Sequence, residues 1–442
     1  MELKKTLSCW DATTIVIGIM VGIGIFRVPS VVASYLAHPL LILLAWLLGG
    51  VISLAGVLCY MELSSSFPET GGNYIYLREA YGLLPAFLFG WAEFFVIRTG
   101  SIASVAYLFA EYLISFLALK PSRVKLIAVL VIFLLSFMNL SSIRFGKRSQ
   151  NVLTLLKILA LVVIIFLGLF SHKGSLSNFS FSSSQTDRWI VSSFASALIP
   201  ILWTYGGWHE SSFIAGETED AKRSIPLSLL MGILIVTVFY LGVNLTYFYL
   251  MPIERLRTST LIGSDLMRLL CGKPGQKILE ALVVVFSLGS INAMIIAGSR
   301  VTYALAQDHA VFRYFGEVDQ QRHTPARAMM VNGLWSIVLA LWGNFEKLLF
   351  FTGGMVWLFF GITGLALFRL RYKYPTRERA FECLGYPFTP IFFIGICTLL
   401  FVNTFLTYPL PTFFGACLAG SGGVVFLTLR TKRLLPRQEI HN

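Results

Sequence analysis

The sequence predicts an all-α integral membrane protein with about twelve transmembrane helices, since a spanning helix needs roughly 20 apolar residues. Three observations support this fold class. Hydrophobic residues make up 56% of the 442-residue chain and charged residues only 13%, whereas soluble domains contain about 25% charged residues. The apolar residues fall into runs of bilayer length. The first and sixth of these runs are each interrupted by a cluster of glycines.

The apolar runs follow one another with short polar connections, and no connection is long enough for a separate soluble domain. In chain order, the predicted spans are 12–36, 40–65, 83–117, 124–142, 150–171, 190–214, 226–250, 277–306, 326–343, 347–368, 388–408 and 411–430. The third and eighth spans are longer than a bilayer requires, so we expect them to tilt.

The first span is predicted to open in its middle, where residues 17–26 read IGIMVGIGIF. Glycine costs about 1 kcal/mol relative to alanine in a helix interior, and a helix in lipid opens only where it lines a protein cavity. The amides of Gly22, Ile23 and Gly24 would then point at one spot and bind a small anion such as a carboxylate. The alternative is close helix packing, because Gly18 and Gly22 form a GxxxG spacing.

The sixth span contains a partner break at 203–208, which reads WTYGGW. Paired broken helices in two repeats mark the substrate site of many secondary transporters. Each break opens a block of five spans, and this odd number predicts that the second block is inserted upside down. The predicted units are residues 1–185 (helices 1–5), residues 186–370 (helices 6–10) and residues 371–442 (helices 11–12 with a cytoplasmic tail).

The distribution of charge predicts the topology and excludes other classes of protein. Lysine and arginine are concentrated in the loops that share a side with both termini, which indicates cytoplasmic termini. The formal net charge of +13 therefore reflects topology and not nucleic-acid binding. The six cysteines form no CxxC pair, so we expect neither a disulfide nor a metal site. No motif indicates a cofactor.

Four segments resemble those of the amino acid–polyamine–organocation transporters, most closely the L-type amino acid transporter branch. They are VGIGIF at 21–26, FPETGGNY at 67–74, WTYGGW at 203–208, and GE at 216–217 followed by KRSIP at 222–226. In that family they look like the helix-1 break, the loop before helix 3, the helix-6 break and the loop after helix 6. The resemblance runs from about residue 8 to about residue 410. It implies the LeuT-type fold, a 5+5 inverted repeat, and amino acid transport by alternating access.

The resemblance also implies the substrate site. The α-carboxylate of an amino acid would bind the amides of the first break, and its α-ammonium would bind carbonyl groups freed in the second. The residues concerned are Gly22, Ile23, Gly24, Leu202, Trp203, Tyr205 and Gly206. Ile23 stands where the family usually has serine, so one side-chain donor is missing. Trp203 resembles the aromatic gate of the family, and the alternative is a packing role.

Lys157 lies within the fifth predicted span. An ammonium group inside a membrane is costly and is a functional candidate by default, although a lysine can also snorkel to the surface. In the family resembled, a lysine at this position stands near the helix-1 break and takes the place of a sodium ion. Lys157 is therefore predicted to be an internal cation that makes transport sodium-independent, while a proton-carrying role stays open.

Four further polar residues lie within spans. His209 and Glu210 directly follow the second break, where Glu210 is a candidate to bind a cationic side chain or the pair faces a water-filled vestibule. Glu93 and Arg98 are predicted to form a structural ion pair, although their spacing of five is off the i,i+4 register of an α-helix. The run HESSF at 209–213 lacks the second histidine of HExxH, so a metalloprotease is not supported.

We therefore expect a secondary active transporter, not an enzyme, that exchanges neutral amino acids without sodium across the cytoplasmic (inner) membrane. The alternatives are a proton-coupled amino acid symporter and an antiporter of cationic amino acids or amines on the same fold; a membrane enzyme is a remote alternative. Animal L-type members pair with a glycoprotein through a cysteine between helices 3 and 4. Residues 119–123 here read LKPSR, so no disulfide-linked heavy subunit is expected, and the oligomeric state stays open.

Overall fold

The computed structural model describes residues 5–140, 147–179, 190–309, 312–317 and 326–431. Within these residues the secondary structure is helical apart from one isolated backbone bridge. The α-helices are α1 (Cys9–Met20), α2 (Val28–Tyr35), α3 (Pro39–Ser66), α4 (Asn73–Tyr81), α5 (Leu83–Ala92), α6 (Arg98–Leu117), α7 (Val124–Leu140), α8 (Lys147–Leu169), α9 (Ile190–Thr204), α10 (Ala221–Leu250), α11 (Ile253–Thr258), α12 (Ile262–Asp308), α13 (Ala326–Trp342), α14 (Phe345–Lys373), α15 (Phe388–Thr407) and α16 (Pro409–Thr431).

Ten helical segments of the described chain are long and apolar enough to cross a membrane. Two shorter apolar helices, Ser192–Thr204 and Arg327–Trp342, occupy the positions predicted for the sixth and ninth spans. Together they account for the twelve predicted spans. The repeat boundary predicted at residue 185 and the tail from residue 432 onward lie outside the described residues.

The eighth span is longer than its apolar run predicted. Helix α12 begins at Ile262 rather than at residue 277, and its axis changes direction at Gly272. Gly272 has φ 68°, a left-handed conformation that glycine adopts at little cost. Pro274 follows two residues later, at the first turn of the next helical piece, where a proline is tolerated. The mixed polar and apolar residues before 277 therefore form a helix that hydropathy alone did not reveal.

Both predicted breaks are present in the fold. In the first span, α1 ends at Met20, a single 3₁₀ turn covers Gly24–Phe26, and α2 begins at Val28; residues 21–27 are called the first break below. In the sixth span, α9 ends at Thr204 and a 3₁₀ helix covers Glu210–Glu217; residues 205–209 are called the second break. Gly207 there has φ 101°, which explains why a glycine stands at this turn.

The third span contains a π-helical turn, Glu93–Ile97, between α5 and α6. The backbone N–H of Arg98 donates to the carbonyl oxygen of Glu93, five residues earlier. Because a π-helix makes i→i+5 bonds, it places residues five apart on the same face. The Glu93–Arg98 spacing, which is off register for an α-helix, therefore matches the geometry that the chain adopts here.

The chain before α1 is joined to the chain after the second break. The N–H groups of Thr6 and Leu7 donate to the carbonyl oxygen of Glu217 at 3.0 and 3.1 Å, and the N–H of Glu219 donates to the Leu7 carbonyl at 2.8 Å. These bonds form a short parallel bridge between Leu7 and Thr218. They tie the start of the first span, just before α1, to the end of the sixth span, just after the 3₁₀ helix Glu210–Glu217.

Candidate functional site

A cavity of about 100 Å³ lies between the two breaks. Both broken spans contribute to its wall, and α6, α12 and α14 complete it. The lining residues from the breaks and their flanks are Ile19, Met20, Gly22, Ile23, Gly24, Leu202, Trp203, Thr204, Gly206, Gly207, His209 and Glu210. The two segments that the sequence singled out are therefore brought to one site.

The first break presents hydrogen-bond donors. The N–H of Gly22 is used by the carbonyl oxygen of Met20 at 2.7 Å. The amides of Ile23, Gly24 and Ile25 donate to no other backbone group among the described residues. They lie at the start of the half-helix that continues into α2, where the helix dipole adds positive character. Two of the three predicted amides, Ile23 and Gly24, are thus free, and Ile25 joins them.

Four carbonyl oxygens around the first break are held by side chains from neighbouring helices. The contacts are Lys157 Nζ to Gly18 O (2.7 Å), Tyr240 Oη to Met20 O (2.5 Å), Tyr247 Oη to Ile25 O (3.2 Å) and Tyr112 Oη to Phe26 O (2.8 Å). An unpaired carbonyl in lipid costs several kcal/mol, so these groups stabilise the open conformation. Sequence reasoning identified Lys157 alone, although Tyr240 and Tyr247 are two helical turns apart and share one face of α10.

The second break presents acceptors. Among the described residues, no hydrogen bond reaches the carbonyl oxygens of Leu202 or Gly206, both of which line the cavity. The Trp203 carbonyl accepts from the Gly206 N–H at 2.9 Å. The Thr204 carbonyl lies 3.0 Å from the hydroxyl of Tyr240, which also contacts Met20. One tyrosine hydroxyl therefore touches both broken spans.

The two aromatic residues predicted for the site lie in different places. The ring of Trp203 lines the cavity and packs edge-on against Phe345 at the start of α14, with centroids 5.6 Å apart. Tyr205 is fully buried behind the cavity. Its hydroxyl donates to the Trp46 carbonyl at 3.1 Å, and its ring packs on Tyr240 at 5.1 Å. The geometry thus gives Trp203 access to a substrate and gives Tyr205 a packing position.

Lys157 is buried, with 3% of its side chain exposed. Its ammonium group donates to the Gly18 carbonyl at 2.7 Å and to Ser290 Oγ at 3.0 Å. Ser290 lies on α12 and itself lines the cavity. The lysine thus links the first broken span to α12 and does not snorkel to the surface.

Arg98 is held between two carboxylates. Its Nη1 and Nη2 donate to the two oxygens of Glu210 at 2.7 and 3.1 Å. Its Nε donates to Glu93 Oε1 at 2.8 Å, and Nη2 lies 2.6 Å from the same oxygen. All three residues are buried, with at most 5% of their surface exposed. The predicted Glu93–Arg98 ion pair is present, and Glu210, 112 residues away in sequence, is a third member that the sequence did not reveal.

His209 lies beside this triad in an aromatic environment. Its ring packs against Trp208, Phe213 and Phe360 at centroid distances of 5.3, 5.4 and 4.8 Å. The Nδ1 atom is buried and has no hydrogen-bond partner in the described part of the chain. Since His209 also lines the cavity, it offers one unused polar atom close to the second break.

Known proteins provide an independent comparison. A family model described as amino acid permease matches residues 7–416. The chain is 31% identical to the b(0,+)-type amino acid transporter 1 of Homo sapiens, over 86% of this chain and 78% of that protein. It is 28% identical to the cystine/glutamate transporter of Homo sapiens (97% and 84% covered) and 27% identical to the serine/threonine exchanger SteT of Bacillus subtilis (92% and 92% covered).

Among solved structures, the chain resembles a Na⁺-coupled sialic acid symporter in a substrate-bound outward-open state. The TM-score is 0.55, with 92% of this chain and 90% of that chain covered. The sequence identity is 14%, so the likeness concerns the fold alone. It supports the LeuT-type fold that the family resemblance implied.

Proposed function

The chain belongs to the amino acid permease family, and from this premise we propose that it exchanges neutral amino acids across the membrane without sodium. It is a multi-pass membrane protein and a transporter of amino acids, not an enzyme. Beyond family membership, we propose the exchange mechanism, a substrate without net charge and independence from sodium.

The observation that carries the proposal is the complementary polarity of the two breaks across one cavity. The amides of Ile23 and Gly24 and the carbonyls of Leu202 and Gly206 line opposite sides of the cavity, and none of them is hydrogen-bonded to another described residue. An α-amino acid carries a carboxylate and an ammonium on adjacent groups, and so needs donors and acceptors a few ångströms apart. Broken helices whose amide and carbonyl ends face one site supply that pattern.

The charges around the cavity favour a substrate without net charge. Lys157 and Arg98 are balanced by Glu93 and Glu210, so the formal sum of the four groups is zero. Both oxygens of Glu210 are bound to Arg98, which leaves neither free for a cationic side chain. This pairing argues against the cationic amino acid alternative. A zwitterion enters such a site without leaving an unbalanced buried charge.

Lys157 supports sodium independence and the internal-cation role. Its ammonium is bound by a carbonyl oxygen from α1 and a hydroxyl oxygen from α12. Oxygen atoms of these kinds are what a hard cation such as sodium would use. A fixed cation at this point holds the first broken span against α12 when no ion is bound. Exchange is supported by the relative described as a serine/threonine exchanger.

We also propose the setting in which the protein works. Both termini lie in the cytoplasm, the protein resides in the cytoplasmic membrane, and no heavy subunit is attached by a disulfide. Residues 1–185 and 186–370 form the two inverted repeats. The substrate site comprises Gly22, Ile23, Gly24, Leu202, Trp203, Gly206 and Glu210. Trp203 is its gate, and Tyr205 packs behind the cavity.

The proposal is tested by uptake of labelled serine, threonine, lysine and glutamate into proteoliposomes that contain the purified protein. Vesicles preloaded with the unlabelled amino acid are compared with empty vesicles, with and without sodium and with and without a pH gradient. We expect uptake of the two neutral amino acids that requires preloading and ignores both gradients.

Three other results would contradict the proposal. Uptake into empty vesicles driven by a proton gradient would make the protein a symporter and would recast Lys157 as a proton carrier. A requirement for sodium would contradict the internal-cation role of Lys157. Lysine uptake without serine or threonine uptake would favour the cationic antiporter.

A further inference from the structure

We propose that Glu210 is a built-in carboxylate that occupies the guanidinium group of Arg98 and thereby excludes amino acids with acidic side chains. The inference rests on the proposed function, since it names a substrate class that the same cavity rejects. It assigns Glu210 a role in specificity that differs from direct binding of substrate.

Glu210 binds Arg98 in the way that the carboxylate of a bound ligand would. A guanidinium presents parallel N–H donors that match the two oxygens of a carboxylate. Glu210 uses this match fully, with Oε1 2.7 Å from Nη1 and Oε2 3.1 Å from Nη2. Both residues line the cavity. The side-chain carboxylate of an acidic amino acid would seek the same edge of Arg98 and finds it occupied.

The cavity offers such a substrate no other fixed cation. Arg98 is the one lysine or arginine among the described residues that line the cavity. The other edge of its guanidinium is bound to Glu93 through Nε, at 2.8 Å. Lys157 reaches the wall only through Ser290. An acidic side chain would therefore be buried beside Glu210 without a partner, which is strongly unfavourable.

Removal of the Glu210 charge reverses this situation. The four groups Lys157, Arg98, Glu93 and Glu210 have a formal sum of zero, so Glu210→Gln leaves the site with one unbalanced positive charge. Glu210→Ala removes the same charge and also frees the edge of Arg98 that Glu210 occupies. A substrate carboxylate would then restore both the charge balance and the paired hydrogen bonds.

Glu93 provides a matched control. It binds the same guanidinium, is equally buried and carries the same charge. It does not belong to the described lining of the cavity, whereas Glu210 does. Glu93→Gln therefore changes the net charge by the same amount, but the edge of Arg98 toward the cavity stays occupied by Glu210.

The experiment measures uptake of labelled glutamate and labelled serine into preloaded proteoliposomes for the wild-type protein, Glu210→Gln, Glu210→Ala and Glu93→Gln. The wild type is expected to take up serine and to be insensitive to excess glutamate. Glutamate uptake should rise at least tenfold in one or both Glu210 variants, and it should stay at the wild-type level in Glu93→Gln. Serine uptake in each variant reports whether the protein is folded.

The failures of the two proposals can be told apart. Absence of neutral amino acid uptake by the wild type would contradict the proposed function. If the wild type takes up serine, inhibition of that uptake by glutamate would overturn the present inference without any variant. It would also be overturned if serine-competent Glu210 variants gained no glutamate uptake, or if Glu93→Gln gained as much as they did, because net charge alone would then explain the effect.

Discussion

The two breaks differ in how their backbone groups are bound and in which of them reach the cavity. Around the first break, the carbonyl oxygens of Gly18, Met20, Ile25 and Phe26 are bound by side chains of other helices, while the amides of Ile23 and Gly24 line the cavity without a partner among the described residues. In the second break, the Gly206 amide turns back onto the Trp203 carbonyl, a left-handed glycine makes the turn, and carbonyls remain free. Side chains of neighbouring helices at the first break, and the local turn at the second, thus decide which backbone groups are left for the substrate.

This difference teaches that a gap in a helix is not by itself a binding site. A broken membrane helix exposes donors and acceptors together, and a zwitterion needs them separated. Three tyrosines and one lysine bind four of the carbonyl acceptors in and beside the first break. Three kinds of change should therefore disturb transport. In order of decreasing effect, they alter the left-handed turn at Gly207, the contact between Gly24 and Thr204, and the hydroxyl of Tyr240 that touches both broken spans.

The largest effect is expected for Gly207→Ala, which disturbs the second break. A Cβ at this residue would adopt a left-handed φ of 101° and lie 2.6 Å from Ile19 Cγ2. Backbone strain and overpacking together cost about 3 kcal/mol, so exchange should fall on the order of 100-fold. Gly395→Ala is the control, because an added Cβ meets nothing within 4 Å there. Equal activities of the two variants would contradict the need for a left-handed turn.

A smaller effect is expected for Gly24→Ala, which separates the breaks. The new Cβ would lie 2.8 Å from Thr204 Cγ2 and 3.0 Å from Thr204 Oγ1. Overpacking of this kind costs about 1–3 kcal/mol, which corresponds to roughly a tenfold loss of exchange. Thr204→Ala makes room for the new Cβ. The double variant Gly24→Ala/Thr204→Ala should therefore exchange nearly as fast as Thr204→Ala alone. Additive losses in this double-mutant cycle would show that the two positions do not touch during transport.

The smallest effect is expected for Tyr240→Phe, which keeps the ring and removes the hydroxyl between Met20 and Thr204. An unpaired buried carbonyl costs about 1–3 kcal/mol. The Met20 carbonyl still accepts from Gly22, so the KM should rise only about fivefold. Tyr107→Phe is the matched control, because its hydroxyl joins two carbonyls, of Ala340 and Gly343, away from the cavity.

Both tyrosine variants should lower the thermal midpoint of unfolding, and only Tyr240→Phe should raise the KM. A KM that is unchanged in Tyr240→Phe, or raised equally in Tyr107→Phe, would reduce Tyr240 to a packing residue.

Run length and glycine content predicted the spans and breaks because these signals are local. A bilayer fixes the length of each helix, and glycines between apolar residues mark where it can open. The π-turn at Glu93–Ile97 was missed because its residues, EFFVI, include no glycine or proline. The helical residues before 277 in α12 were missed because Asp265, Arg268 and Lys273, with glycines and a proline, interrupt the apolar run.

The site could be predicted only in outline. Lys157 was identified because a charge within an apolar run stands out. Its partners, and the tyrosine hydroxyls, depend on how α8, α10 and α12 pack around α1. The union of Arg98 with Glu210 joins two spans that are far apart in sequence, so neither helix periodicity nor spacing could reveal it.

The backbone bridge between Leu7 and Thr218 has a mechanical consequence. The hydroxyl of Tyr240 joins the first and sixth spans beside the cavity, and the bridge at Leu7 joins them again just before α1 begins. Two helical segments that are hydrogen-bonded at two separated points are held together as one body. During alternating access, we therefore expect the two half-helices to move together.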